Sequence, residues 1–169
     1  VLISSNVCYS IINTVLKLGL VPVIKTPNNG LFFTNDDIDV VIDKEIIDCI
    51  LLVHQFGILN NISKRKYKKL NIKIIEDVAQ AWNLKDNNGM NNIGIDSDIV
   101  VTSFGSTKPI SYGIGGGLFF DNKKIFKEID FCDNESREKQ GIILSYAYPL
   151  CKEIKLDYLL EKANEIVCL

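Results

Sequence analysis

Residues 72 to 120 read IKIIEDVAQAWNLKDNNGMNNIGIDSDIVVTSFGSTKPISYGIGGGLFF, and the fold turns on this stretch. Two apolar runs within it, Ile72 to Ile75 and Ile99 to Thr102, are rich in β-branched residues and have the length of buried strands. The first ends in Glu76 and Asp77, the second in Ser103. In an open α/β sheet, ligands sit in the crevice beyond the carboxyl ends of the strands. Asp77 and Ser103 are therefore expected to face one site. Lys108 follows Ser103 by five residues in a short polar loop. The glycine run from Gly113 to Gly117 closes that loop and leads into a third apolar strand, Leu118 to Phe120. This run is not a dinucleotide fingerprint, which opens a helix; here a strand follows. Its glycines are expected to let the backbone pass tightly behind the lysine loop.

Outward from this stretch, the same alternation of strand and helix recurs. The opening VLISS predicts a strand. A helix from about Val7 to Leu18 follows, with Val7, Ile11, Ile12, Val15 and Leu18 on one face and Ser5 or Asn6 as its cap. Gly19 ends it, and Val21 to Ile24 is the next strand, completing a βαβ unit in outline. Residues 26 to 36 carry turn chemistry in Pro27-Asn28-Asn29-Gly30. A short helix is expected around Ile38 to Ile42, a strand at Cys49 to Val53, and a helix at Ile62 to Leu70. That last helix carries Lys64, Arg65, Lys66, Lys68 and Lys69. Without aromatic interleaving, the cluster reads as a solvated outer face rather than a nucleic-acid patch. Residues 86 to 98 read as a surface loop, 123 to 129 as a helix, and 141 to 169 as one or two amphipathic helices broken near Pro149.

Composition narrows the class. The chain has 169 residues, 47% hydrophobic and 24% charged, enough for one domain with a real core. A net charge of −2 gives no bulk electrostatic reason to expect nucleic acid or an anionic membrane as partner. No apolar run reaches the roughly 18 residues of a membrane span. The N-terminus has no basic region ahead of its apolar residues, so it does not read as a signal peptide. Five cysteines, Cys8, Cys49, Cys132, Cys151 and Cys168, form no C-x-x-C pair, which points to a reducing cytoplasm rather than a disulfide framework. A single histidine, His54, leaves little for a metal site, and none is expected.

A carboxylate, a hydroxyl and a lysine on neighbouring strand ends suit pyridoxal 5'-phosphate. That cofactor needs a lysine amine for its aldehyde, an acid to keep its ring nitrogen protonated, and hydroxyl and N–H donors for its phosphate. The run Glu76-Asp77-Val78-Ala79-Gln80-Ala81, then Ser103-Phe104, Thr107-Lys108 and the glycine-rich turn, resembles the DegT/DnrJ/EryC1/StrS sugar aminotransferases, within fold type I of the pyridoxal phosphate enzymes. Gly19-Leu20-Val21-Pro22-Val23 and His54-Gln55-Phe56-Gly57 look like further pieces of the same pattern.

The resemblance implies an α/β fold. It would be a three-layer αβα large domain with a mostly parallel sheet, residues 1–121 forming the cofactor-binding core and 122–169 a helical C-terminal extension. It implies Lys108 as the amine that joins the cofactor and then moves a proton. Asp77 would face the pyridine nitrogen; the alternative is a helix N-cap after the strand. Gln80 would face the ring's 3'-oxygen, Ala79 would allow close packing, and Ser103 would hold the phosphate. Cys8 falls where relatives carry a ring-stacking aromatic, and is either a sulfur contact to the ring or a small buried residue. His54 lies either near the cofactor or in a structural hydrogen bond. The implied activity is transamination of a keto-sugar nucleotide with glutamate or glutamine as amino donor, in a cytoplasmic homodimer that feeds polysaccharide biosynthesis. Family members are longer. An upstream phosphate-binding segment, a small C-terminal domain and an Asn-x-Arg loop have no counterpart here, so a fragment or reduced homologue is expected. A non-catalytic binding remnant and an amino-acid lyase of the same fold stay open as alternatives.

Overall fold

The computed structural model describes residues 1–81, 93–111, 113 and 115–120, with 142–144 as backbone. Its strands are β1 (Leu2–Ser4), β2 (Val23–Lys25), β3 (Cys49–Val53), β4 (Lys73–Asp77), β5 (Ile99–Ser103), β6 (Gly116–Phe119) and β7 (Ile142–Leu144). Its helices are α1 (Tyr9–Lys17), α2 (Asn35–Ile42) and α3 (Lys64–Lys69). The strands form one sheet in the order β2-β1-β3-β4-β5-β6-β7. Pairing is parallel from β2 through β5; β6 runs antiparallel to β5, and β7 parallel to β6.

The chain leaves β1 toward one side to form β2, then returns past β1 to form β3. Right-handed crossovers with that reversal put α1 on one face of the sheet and α2 and α3 on the other. Burial agrees. Leu2, Ile50, Leu52 and Ile74 from the strands pack with Ile38 and Val41 of α2 and Tyr67 of α3 in one cluster. Ile3, at the opposite parity on β1, is equally buried, as a strand covered on both faces requires. The reversal between β1 and β3 is a topological switch point, where such sheets bind ligands.

Several boundaries differ from those the sequence suggested. The N-cap of α1 is Cys8, not Ser5 or Asn6. The Asn6 amide is occupied elsewhere: it donates to the Leu31 carbonyl at 2.6 Å and accepts from the Ser4 hydroxyl. Within α1 only Val15 is buried, and Leu18, just past it, is exposed. The second helix starts earlier than its apolar residues indicated, because Thr34 and Asp37 form a reciprocal capping box. Asp37 is wholly buried and also accepts from the Asn28 N–H, tying the turn at 28 to the helix start. Ile142–Leu144 is a strand where a helix was expected, since it pairs with the open edge of β6. The expected helix at 123–129 and the remainder of the 122–169 extension lie outside the described residues, as does most of the loop expected at 86–98.

Candidate functional site

Strand β4 presents its side chains alternately to the two faces. Ile74 and Glu76 point to the side of α2 and α3; Ile75 and Asp77 point to the side of α1. Asp77 is half-buried. Its Oδ1 accepts the Ala79 N–H at 2.8 Å, which turns the chain away from the sheet. This is the cap-like role that the sequence also allowed, although residues 78 to 81 form a turn rather than a helix. Among the described residues Oδ2 of Asp77 has no hydrogen-bond partner. Burial pushes the Asp77 carboxyl above its usual range, opposed by the Ala79 N–H, by the charge of Lys108 and by His54. A carboxylate short of water, with one oxygen open, is a receptor for a cationic N–H.

Lys108 is half-buried, in a loop closed by a bridge between Gly105 and Gly113. Its N–H donates to the Gly105 carbonyl at 2.9 Å, and the Phe104 N–H donates to the Gly115 carbonyl at 2.9 Å. Ser103 Oγ accepts the Gly105 N–H at 3.2 Å, so its hydroxyl hydrogen is free to donate to another group. A Cβ at Gly105 would stand 3.5 Å from Ser103 Oγ and 3.9 Å from Lys108 Cγ, so one bare backbone segment separates the two side chains. Tight passage behind this loop falls on Gly116, where a Cβ would lie 2.6 Å from the Thr102 carbonyl oxygen.

Cys8 is exposed, not the small buried residue that was one of its two readings. Its Sγ accepts from the Ser10 hydroxyl at 3.1 Å. Bonds from the Ser10 side chain and backbone, helped by the positive charge of Lys108, hold the thiol below its ordinary range; Asp77 opposes them. The three residues therefore sit within electrostatic reach of one another. Gln80 is exposed, and its Oε1 accepts the Phe56 N–H at 3.2 Å while its carbonyl accepts from the Gly57 N–H at 3.1 Å. With its oxygen committed, the Gln80 amide keeps its NH2 group as a donor. Ala79 is half-buried between Asp77 and Gln80.

Two features escaped the sequence reading. Phe56 has φ +57° and is 68% exposed, a left-handed conformation rare for an aromatic residue. It sits in a short 3-10 turn, Gln55–Gly57, whose Gln55 Nε2 donates to the Asn6 carbonyl at 2.8 Å. That turn links the segment before Cys8 to Gln80. The second is Glu76, 1% exposed, whose carboxylate meets His54 Nε2 at 2.7 Å, Lys64 Nζ at 2.7 Å, the Gly94 N–H at 2.9 Å and the Ser97 hydroxyl. His54 Nδ1 accepts the Asn60 N–H at 2.9 Å, so Nε2 carries the ring hydrogen and donates to Glu76. Histidine is thus engaged in structural hydrogen bonds on both ring nitrogens. Burial would raise the Glu76 carboxyl, but the His54 hydrogen bond and the Lys64 charge outweigh it and bring it down to about 2. The clue in the sequence was the parity of Ile72, Ile74 and Glu76: an acid on a buried strand face needs partners.

Four of the five basic side chains of α3 pair with acids. Lys64 pairs with Glu76, Arg65 with Asp96, Lys66 with Asp39 and Lys68 with Asp98. Among the described residues no group of three or more His, Cys, Asp or Glu could hold a metal, and no helix is long and apolar enough to cross a membrane.

The structure is an open α/β domain in which Asp77, at the end of β4, lies within electrostatic reach of Lys108 and Cys8. The chain belongs to the DegT/DnrJ/EryC1/StrS aminotransferase family, whose model matches residues 1–148. Two solved structures share the fold. The aminotransferase from Psychrobacter cryohalolentis is 22% identical with a TM-score of 0.53, over 65% of this chain and 28% of that one. The ntda protein from Bacillus subtilis, described with bound cofactor PMP, is 26% identical with a TM-score of 0.54, over 65% of this chain and 24% of that one. The matched region thus spans about a quarter of the length of these structures. No curated protein matches the chain.

Proposed function

We propose that this chain carries the cofactor-binding core of a pyridoxal 5'-phosphate-dependent aminotransferase. The observation that carries the reading is Asp77, a half-buried carboxylate with one bonded oxygen, within electrostatic reach of Lys108. Membership of an aminotransferase family and the PMP named for the ntda structure support it. When bound, the cofactor supplies an electron sink that stabilises negative charge at the donor's α-carbon.

The residues present fit such a group. Asp77 would accept the ring N–H on its open oxygen, an ion pair strengthened by the partial burial that raises its carboxyl. Gln80, oriented by the Phe56 N–H, would donate its NH2 group to the ring's 3'-oxygen. Ser103 would direct its hydroxyl hydrogen to the phosphate. Ala79 leaves room against the ring, and Cys8 would meet it from the α1 side. Lys108 would hold the cofactor through Nζ and, once displaced by an amino donor, move a proton to and from the donor's α-carbon.

In the parent enzyme the acceptor would be a keto-sugar nucleotide, with glutamate or glutamine as donor, in a cytoplasmic homodimer feeding polysaccharide biosynthesis. Borohydride reduction of the chain loaded with pyridoxal phosphate, followed by peptide mapping, tests the core claim. Label is expected on Lys108 and is expected to be lost in Lys108→Ala. Label scattered over surface lysines would favour a non-catalytic remnant. Turnover of amino acids without a sugar acceptor would favour a lyase.

A further inference from the structure

The buried network at Glu76 belongs to neither the cofactor contacts nor the hydrophobic core. Four donors converge on one carboxylate from three parts of the chain: His54 beyond β3, Lys64 on α3, and Gly94 and Ser97 in the segment entering β5. Glu76 directly precedes Asp77, on the opposite face of β4. The His54 N–H also donates to the Asp77 carbonyl at 2.9 Å. One histidine therefore holds the main chain of Asp77 through its backbone and the side chain of Glu76 through its ring.

We infer that Glu76 is a positioning residue, whose fourfold clamp behind the sheet sets the direction in which Asp77 meets the cofactor on the other side. The inference rests on the proposed function. The clamp needs both carboxylate oxygens: His54 uses Oε2, while Lys64, Gly94 and Ser97 use Oε1. A carboxamide has a single acceptor oxygen and would turn an NH2 group toward one of the two donor sets. Glu76→Gln, nearly isosteric, therefore loosens one side of the clamp whichever way it flips. Lys66→Met instead removes a charge from the same helix, one paired with Asp39, and leaves all four donors to Glu76 in place. Among the described residues, the charged or titratable groups facing this pair of acids are His54 and Lys64 behind, and Lys108, Cys8 and His54 around Asp77.

The test uses the full chain, well below its unfolding midpoint, with circular dichroism confirming that each variant is folded. Pyridoxal phosphate affinity is measured by absorbance titration, together with the pH midpoint of the bound cofactor's absorption band. Glu76→Gln is expected to weaken binding about tenfold and to move that midpoint; Lys66→Met is expected to stay within about twofold. A folded Glu76→Gln with wild-type affinity and midpoint overturns the inference alone. So does a loss that follows thermal stability equally in both variants with no change in midpoint. Failure of the wild-type chain to take label on Lys108 overturns the proposed function and this inference with it. If Glu76→Gln does not fold, His54→Ala and His54→Gln replace it. A glutamine can accept from Asn60 and donate to Glu76, so partial rescue of affinity and midpoint by His54→Gln supports the clamp, and equal behaviour of the two overturns it.

Discussion

Glu76 and Asp77 are neighbours on one strand, yet their environments push them in opposite directions. Glu76 faces the α2 and α3 side, is fully buried, and is surrounded by His54, Lys64, Gly94 and Ser97. Its carboxyl is held at about 2 because these partners outweigh the burial penalty. Asp77 faces the α1 side, is only half-buried, and its carboxylate has one hydrogen bond among the described residues. Its carboxyl is raised, because burial outweighs the Ala79 N–H and the more distant charges. Degree of burial does not decide the sign; the supply of donors does. Glu76 is saturated within the protein, whereas Asp77 keeps one oxygen open among the described residues and bears the cost of its partial burial.

The contrast can be broken most forcefully at Glu76. Glu76→Ala strips the charge opposite Lys64 and is expected to destabilise the chain by roughly 3 to 5 kcal/mol, read by urea unfolding. The intact pair has a matching acid signature. A carboxyl whose folded value lies below its unfolded one contributes stability that is full above the unfolded value and lost as pH falls through the folded one. For Glu76 the window runs from 4.5 down to about 2, and the loss across it is about 3 kcal/mol. Unfolding midpoints measured across that range should fall in the wild type and change much less in Glu76→Ala.

Asp77→Asn sharpens the other half. Asparagine still accepts the Ala79 N–H, so the turn survives, but the ion pair with a cationic ring is gone. Cofactor affinity is expected to drop roughly 100-fold by absorbance titration. The stability of the unloaded chain at neutral pH is expected to rise, because a raised carboxyl is a net cost while ionised. In the wild type that cost is relieved as pH falls through the folded value, opposite in sign to Glu76. Equal or lower stability in Asp77→Asn would place the strain elsewhere. The smallest effect concerns the Gln80 support. Phe56→Gly keeps the N–H that orients Gln80 and removes the left-handed strain, so a gain of about 1 kcal/mol in thermal unfolding is expected, with cofactor affinity nearly unchanged.

Much of this molecule is written in local pattern. The β-branched runs at 49–53, 72–75 and 99–102 are strands because their period and residue types leave little else for them to be. The placing of Asp77 and Ser103 at strand ends follows from those runs, since in an open α/β sheet the carboxyl ends of the strands border the ligand crevice. Glycines at 113 to 117 announce a close approach without saying to what; only the fold shows that Gly116 faces the Thr102 carbonyl. Helix boundaries were less legible. Whether Asn6 caps α1 depends on Ser4, whose hydroxyl occupies its side-chain oxygen, and on Leu31, 25 residues away, whose carbonyl holds its NH2 group. The same holds for Ile142–Leu144, whose apolar residues suit helix or strand equally and become a strand because β6 offers an open edge.

Sequence by itself, then, determined the alternation of elements and the chemical types at the crevice, because periodicity and strand ends are local properties. Tertiary structure alone decided which of two adjacent acids is saturated and which is open. That difference depends on donors delivered from His54, Lys64, Gly94 and Ser97, up to 22 residues distant along the chain. Solvent exclusion by the assembled sheet and helices then turns those contacts into opposite shifts of two neighbouring carboxyl groups.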